Sequence, residues 1–178
     1  MGQRGLTTIA LVGIMIAAVA VVVLVVVLAG TAPGDVLGPN PGGDIWGPDE
    51  VSSLQCDFVS TSPFETVWGT IYMENIWTPN LKVRDERTTT GQDVITIING
   101  ETQEVWIYSE GTWTDMSSMF NSYWSEYELL AHTYTIVAVS GLTGSGDYTF
   151  TDPTSGATVT LSNIQINPSL DDSLFTHG

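Results

Sequence analysis

The chain has 178 residues and carries 20 Asp and Glu residues against 4 Lys and Arg residues, a formal net charge of −16. All 20 acids follow residue 32, where only Lys82, Arg84 and Arg87 are basic, so this part carries about −17 (3 minus 20). Such a charge argues against nucleic acid and anionic lipid headgroups as partners, because both require a positive surface.

The N-terminal region contains a long apolar run, residues 6–30, without a charged side chain. As a helix these residues extend about 37 Å, enough to cross a hydrocarbon core of about 30 Å. The apolar part of a cleaved signal peptide is usually only about 7–15 residues long, which favours an uncleaved transmembrane helix here. The small residues from Gly30 to Ala32 leave cleavage open as the alternative.

Charge also predicts the orientation of this span. Arg4 lies in the short tail of residues 1–5, and no basic residue follows the span until Lys82. Positive charge is retained in the cytoplasm, so the remainder of the chain is expected outside it. Residues 31–50 hold four prolines and five glycines and indicate an extended tether. The sequence therefore predicts a single-pass cell-membrane protein with an extracytoplasmic domain at residues 51–178.

Within this domain, alternating apolar and polar residues predict a series of strands. Asn99-Gly100 favours a tight hairpin turn, and Glu110-Gly111 predicts a second turn. The expected strands are residues 54–60, 64–77, 81–88, 92–100, 101–111, 112–116, 133–139, 147–152 and 157–167. Residues 141–148 read as a glycine-rich hairpin loop, and residues 152–156 as a turn.

One helix is predicted, at residues 117–132, with Ser117 or Ser118 as its cap and His132 at its end. Its apolar residues recur at three- and four-residue steps and form a broad face: Met119, Phe120, Tyr123, Trp124, Tyr127, Leu130 and Ala131. The fold class is therefore α+β, mainly antiparallel β, with the helix laid on a concave sheet face so that both bury their apolar sides.

No catalytic motif is recognisable in the sequence. His132 and His177 lie outside any motif that pairs a base with a serine or cysteine nucleophile, and no zinc, calcium or phosphate-loop motif occurs. The lone Cys56 is expected to be a small buried residue. We therefore expect a protein that is not an enzyme and that uses neither a metal nor a cofactor.

The aromatic residues offer the one candidate for a binding site. They can simply fill the core, or they can line a cavity for an apolar ligand. The second alternative is supported by the long sheet, which has only one helix to cover it. The expected ligand-binding residues are Trp68, Trp106, Phe120, Tyr123, Trp124 and Tyr127.

Three stretches resemble the LolA/LolB-like lipoprotein-carrier superfamily. A final strand is followed by Asn167, Leu170, Asp171, Asp172, Leu174 and Phe175 in the spacing with which members of that superfamily end. Residues 94–117 resemble its strand–hairpin–strand segment before a helix, and residues 82–92 resemble the preceding strand pair. The resemblance implies a half-open β-barrel wrapped round a helix, with an apolar hollow that receives acyl chains. It also implies that Leu174 and Phe175 close one rim of this barrel as a structural plug, with Asp171 and Asp172 in water.

The leading functional prediction is thus an acidic, membrane-anchored domain that binds a lipid or an acylated protein and acts locally because it is tethered. Its acidity is typical of a protein from a salt-adapted source. Two alternatives stay open. Arg4-Gly5 before an apolar run resembles the processing site of archaeal type IV pilins, which implies a filament subunit. A cell-surface interaction domain with a filled core is the other alternative.

Overall fold

The computed structural model describes residues 48–89, 91–141, 147–151 and 157–178. The predicted cytoplasmic tail, the predicted transmembrane helix and the tether up to residue 47 lie outside the described residues, as does the predicted turn at residues 152–156. Among the residues described, none of the helices combines the length and apolar character needed to cross a membrane.

Alternating side chains build an open, fully antiparallel sheet in the described part of the chain. Its eight strands have the spatial order β6-β5-β4-β3-β2-β1-β8-β7. The strands are β1 (Ser53–Thr61), β2 (Thr66–Glu74), β3 (Lys82–Thr89), β4 (Gln92–Asn99), β5 (Glu104–Ser109), β6 (Thr112–Asp115), β7 (Tyr148–Thr151) and β8 (Thr158–Ile166). The prediction of a mainly antiparallel sheet with one helix is confirmed.

The strand register separates the sheet into two faces. Leu54 pairs with Met73, and Met73 pairs with Val83, so these buried side chains share one face, which we call the helix face. Their sequence neighbours point to the opposite side, the outer face. Trp68, paired with Val59 and Thr88, lies on the outer face.

The helix α1 (Phe120–Gly141) crosses the helix face from one side of the sheet to the other. It contacts β5 as well as β7 and β8, and the Tyr134 ring meets Phe58 of β1 edge-on at 6.4 Å. A 22-residue helix is about 33 Å long, and the six strand spacings from β5 to β7 amount to about 29 Å. The helix is therefore as long as the width of sheet that it covers.

The helix is longer than predicted, and the expected strand at residues 133–139 is wrong. The β-branched residues there favour a strand, but Tyr134, Val137 and Ala138 continue the helical spacing of Tyr127 and Leu130 and are buried with them. Burial on the sheet outweighs local propensity. The predicted hairpin loop at residues 141–148 therefore does not join two strands, because a helix precedes β7 in the chain; residues 142–146 themselves lie outside the described residues.

The ends of the predicted helix also need correction. A 3₁₀ turn at Ser117–Met119 precedes α1, and its cap is Met116 without a side-chain hydrogen bond. The Ser117 hydroxyl instead accepts a bond from the Val105 N–H at 3.1 Å, which fixes the start of the helix to β5. His132 lies inside the helix, where its ring stacks on Trp77 at 4.3 Å.

The two predicted turns differ in outcome. At Glu110-Gly111 both residues have positive φ, 50° and 81°, as a two-residue hairpin of the type I′ class requires. Asn99 pairs with Glu104, so four residues separate the strands and the expected tight turn at Asn99-Gly100 is wrong. Here Gly100 is needed for another reason, because a Cβ atom would collide with the Pro79 carbonyl oxygen and the Trp124 ring.

After β8 the chain crosses to the outer face as a short segment, residues 168–177, which we call the C-terminal strap. It lies over β3 and β4, where the Arg84 guanidinium donates to the Leu174 carbonyl oxygen at 3.0 Å. Phe175 is buried and lies 5.7 Å from the Lys82 ammonium, while Asp172 is exposed and accepts a bond from the same ammonium at 3.0 Å. Phe175 thus packs against the sheet as expected, but it does so on the outer face over β3 and β4 and not at the rim of a barrel.

Asn167 joins the beginning of the domain to its last strand. Its Oδ1 accepts bonds from the N–H groups of Ser52 at 2.8 Å and Ser53 at 3.3 Å, and its Nδ2 donates to the Glu50 carbonyl oxygen at 3.2 Å. The residue adopts a φ of 51°, a left-handed conformation that asparagine tolerates. This amide clamp holds the entry and exit of the domain together.

Candidate functional site

A buried polar cluster lies where α1 crosses the middle of the sheet. Asp85 and Arg87 both point from β3 to the helix face, and they are 0% and 8% exposed. Asp85 Oδ2 accepts bonds from Arg87 Nε at 2.6 Å and from the Tyr127 hydroxyl at 2.9 Å, and it forms an ion pair with Arg87 Nη2. Tyr127 is the member contributed by the helix, so this cluster links helix and sheet directly.

Aromatic rings enclose the guanidinium of this cluster. Arg87 Cζ lies 5.9 Å from the Phe58 ring centroid and 6.0 Å from that of Tyr127. Burial lowers the pKa of Arg87, but the adjacent Asp85 carboxylate, helped by Tyr127 and Tyr134, reverses this effect, and the net pKa is raised. Burial raises the pKa of Tyr127, although Arg87 opposes this shift, so its hydroxyl remains a neutral donor. Arg87 is therefore charged and Tyr127 neutral near neutral pH.

One oxygen of the cluster lacks a partner. Within the described residues, Asp85 Oδ1 is buried and accepts no hydrogen bond. Glu126, one residue before Tyr127, likewise has a buried Oε2 without a partner among these residues, and burial raises its pKa although Arg87 acts in the opposite direction. Such orphaned polar atoms are uncommon in a purely structural core, because each costs free energy unless it is hydrogen-bonded.

The cysteine and the two histidines among the described residues are not arranged as a nucleophile and its base. Burial raises the pKa of the Cys56 thiol to about 12, so it stays protonated and unreactive near neutral pH. His132 Nε2 lies 3.2 Å from the Ile76 carbonyl oxygen, and His177 stacks on Trp106 at 3.5 Å. The described ranges contain no group of three or more His, Cys, Asp or Glu side chains placed to hold a metal ion. That the protein is not an enzyme stays a prediction.

The structure divides the six predicted ligand-binding residues between the two faces of the sheet. Tyr123 and Tyr127 are buried against the helix face, and the Phe120 and Trp124 rings stack at 5.4 Å near the start of α1. Trp68 and Trp106 lie on the outer face, Trp68 46% exposed and Trp106 under the C-terminal strap. The six residues therefore cannot line one common cavity.

A groove of about 400 Å³ opens on the outer face, beside the exposed Trp68. We call it the outer-face groove and define it by the side chains that β2, β3 and β4 contribute from the outer face: Trp68, Thr70, Glu86, Thr88, Asp93 and Ile95. Arg87 adjoins the groove through its backbone, because its guanidinium is held on the helix face by Asp85. The charged side chains in this groove are thus two carboxylates.

The Asp85–Arg87–Tyr127 cluster was not predicted from the sequence, although the residue pattern of β3 indicated part of it. Alternation along β3 places Val83, Asp85 and Arg87 on one side, and the apolar Val83 identifies that side as the buried one. An opposite charge pair at this spacing on an apolar face predicts a buried ion pair. Tyr127 had no such signal, because its partner lies 42 residues earlier in the chain.

Comparison with known proteins supplies no further assignment: no family model and no curated protein matches the chain.

Proposed function

We propose that this chain is a non-enzymatic, membrane-anchored extracytoplasmic domain that binds an apolar or acylated ligand between α1 and the helix face of the sheet. The resemblance to LolA/LolB-like carriers, with a half-open barrel around the helix, belongs to this proposal. The open antiparallel sheet crossed by a single helix is compatible with such a barrel. Of the predicted residues, Phe120, Tyr123, Trp124 and Tyr127 remain as candidates to contact the ligand.

The observation that carries the proposal is the buried Asp85–Arg87–Tyr127 cluster at the interface of helix and sheet. A permanent core is usually at least as stable when apolar residues replace such an ion pair. For a helix that leaves the sheet and returns to the same position, however, the polar cluster provides a specific attachment point. Release of the helix would expose a continuous apolar surface, including Leu54, Ile71 and Met73, for acyl chains.

A photoreactive fatty acid tests this function on the full chain in neutral nanodiscs. After irradiation, we expect label on peptides from residues 120–141 and from the helix-face strands, and we expect excess oleate to prevent it. Tyr127→Phe removes a hydrogen bond to a charged acceptor, about 1.5–3 kcal/mol, and is expected to increase labelling about tenfold by favouring release of the helix. Tyr108→Phe, on the outer face, is the matched control and leaves labelling unchanged. Label confined to residues 6–30 would contradict ligand binding by the domain.

A second candidate function, the interaction domain, is favoured by a separate observation on the outer face. Phe64 in the β1–β2 turn is 95% exposed, Trp68 is 46% exposed, and Val59 beside it is 41% exposed. Exposed apolar side chains that lie together commonly mark a surface that contacts another molecule. This surface is separated from the polar cluster by the thickness of the sheet, so both functions are compatible.

A further inference from the structure

We propose that the outer-face groove binds a basic, extended segment of a partner protein, with a Lys or Arg side chain lying against Trp68 between Glu86 and Asp93. This site is on the face opposite α1 and does not depend on ligand binding under the helix. Three observations carry it: the exposed indole, the fixed carboxylates and the absence of a competing cation among the groove side chains.

The exposed indole supplies a contact surface for a cation. Trp68 stands on β2 between Val59 of β1 and Thr88 of β3, and nearly half of its surface is open. A Lys or Arg side chain lays its methylene groups along such a ring and its charge against the π face, and Trp is the best ring for this contact. The groove volume of about 400 Å³ is at the small end of binding pockets, which suits one or two long side chains.

Both carboxylates in the groove are held in place from one side and open on the other. Glu86 Oε1 accepts a bond from Arg84 Nε at 2.5 Å, and Asp93 Oδ1 accepts one from the Thr88 hydroxyl at 2.7 Å. Within the described ranges, Glu86 Oε2 and Asp93 Oδ2 receive no donor from the protein. Side chains that are already fixed lose less conformational entropy when a partner binds. These two oxygens therefore form prepared acceptors for a guanidinium or an ammonium group.

Charge selects the occupant. Arg84 is the nearest basic group on this face, and it is already engaged by Glu86 and by the Leu174 carbonyl oxygen of the C-terminal strap. The part of the chain after residue 32 has 20 acidic and 3 basic residues, a net charge of about −17 (3 minus 20), which attracts cations over long distances. An anionic segment would be repelled, and a neutral one would leave both carboxylates desolvated without a partner.

The surroundings of the groove favour an extended segment that carries an apolar residue two positions away from a basic one. Beside Trp68, its exposed partner Val59 on β1 extends the apolar surface of the outer face. In an extended peptide, side chains two residues apart point the same way, about 6.5–7 Å apart. A basic residue can thus occupy the groove while a second residue on the same side of the peptide reaches Val59.

The test uses the full chain in a non-ionic detergent at low salt and the peptide acetyl-Thr-Val-Thr-Arg-Thr-Lys-amide, in which Val lies two positions before Arg, with calorimetry as the readout. A neutral twin carries Gln at every basic position. We expect the basic peptide to bind at least tenfold more tightly than its twin. The double variant E86Q/D93N is expected to lower the affinity for the basic peptide about fivefold or more, and Trp68→Ala is expected to lower it about threefold. Raising NaCl to 0.5 M weakens the binding as well, because the groove is solvent-exposed.

The matched control is E101Q/E104Q, which removes the same charge from two exposed residues beyond the other end of β4. The affinity of this variant for the basic peptide is expected to stay within twofold of that of the native protein. Equal weakening by both double variants would show diffuse attraction to an acidic surface and overturn the site, as would equal binding of the neutral twin. A third outcome would assign the groove to a glycan instead: the native protein binds chitohexaose but not the basic peptide, and Trp68→Ala abolishes the binding of chitohexaose. The carboxamide variants leave the core intact, so they remain informative even where Trp68→Ala fails to fold.

Discussion

The Asp85–Arg87 pair allows a sharp test of how the core is built, because the two residues are expected to matter more separately than together. Asp85→Leu leaves a guanidinium that is 8% exposed without its carboxylate, and Arg87→Met leaves a carboxylate that is 0% exposed without its cation. Each single change is expected to cost about 3–5 kcal/mol in free energy of unfolding. Domains have about 5–15 kcal/mol in total, so each variant loses a large part of its stability.

The double variant removes both charges and places apolar side chains on the helix face. In the double variant the Tyr127 hydroxyl has lost Asp85 Oδ2, the acceptor that lies 2.9 Å away in the native protein. The unsatisfied hydroxyl is expected to lower the free energy of unfolding by about 1–3 kcal/mol. We therefore expect the double variant to lie within about 2 kcal/mol of the native protein, with a coupling energy of about 4 kcal/mol or more.

Urea unfolding of the full chain in non-ionic detergent, followed by tryptophan fluorescence, provides the four free energies. Where a single variant does not fold, recovery of a cooperative transition in the double variant answers the same question. A double variant that loses the sum of both single losses would refute the reasoning, because the pair would then contribute independently rather than as a neutralised unit.

Three further predictions concern packing and pH. Gly100→Ala is expected to cost about 1–3 kcal/mol, because its Cβ would lie 2.5 Å from the Trp124 ring and closer still to the Pro79 carbonyl oxygen; thermal unfolding measures this, and an unchanged midpoint would contradict it. Glu126→Gln is expected to stabilise the protein at pH 7, since burial raises the pKa of this carboxyl above its usual 4.5 and ionisation then opposes folding. The gain over the native protein should shrink as pH falls through the raised pKa towards 4.5, and a gain that grows instead would show the opposite shift. Phe175→Ala is expected to cost about 3 kcal/mol by urea unfolding, because its ring is buried under the C-terminal strap; a cost below about 1 kcal/mol would mean that the strap is dispensable.

The sheet could be predicted because each strand has one buried face, and the alternation of side chains records that burial directly. Each of the eight observed strands overlaps one of the stretches expected from the pattern, with ends that differ by a few residues. Residues 133–139 could not be assigned from local preference, since their β-branched side chains favour a strand while their three- and four-residue spacing fits the helix face. Only the presence of the sheet beneath decides between the two.

The candidate sites were less predictable, because they depend on contacts between distant parts of the chain. Alternation along β2 placed Trp68 opposite Ile71 and Met73, so its outer-face position was available from the sequence. Its grouping with the helix aromatics ignored that alternation. The position of Phe175 could not be deduced, since an irregular segment after a strand can turn to either face of the sheet. The groove depends on the strap as well, since the strap covers part of the outer face and leaves the rest open.

The amide clamp at Asn167 has a mechanical consequence. Any force that reaches the domain through the chain before Pro48 is applied at the start of β1, a strand with β2 on one side and β8 on the other. A pull along β1 must therefore shear two antiparallel ladders together, instead of opening one ladder bond by bond from an edge. Because Asn167 binds the backbone on both sides of Val51, part of the load passes to β8 before β1 is strained. The fold is thus arranged to resist traction from its N-terminal side, where rupture is governed by the rate of forced unfolding rather than by equilibrium stability.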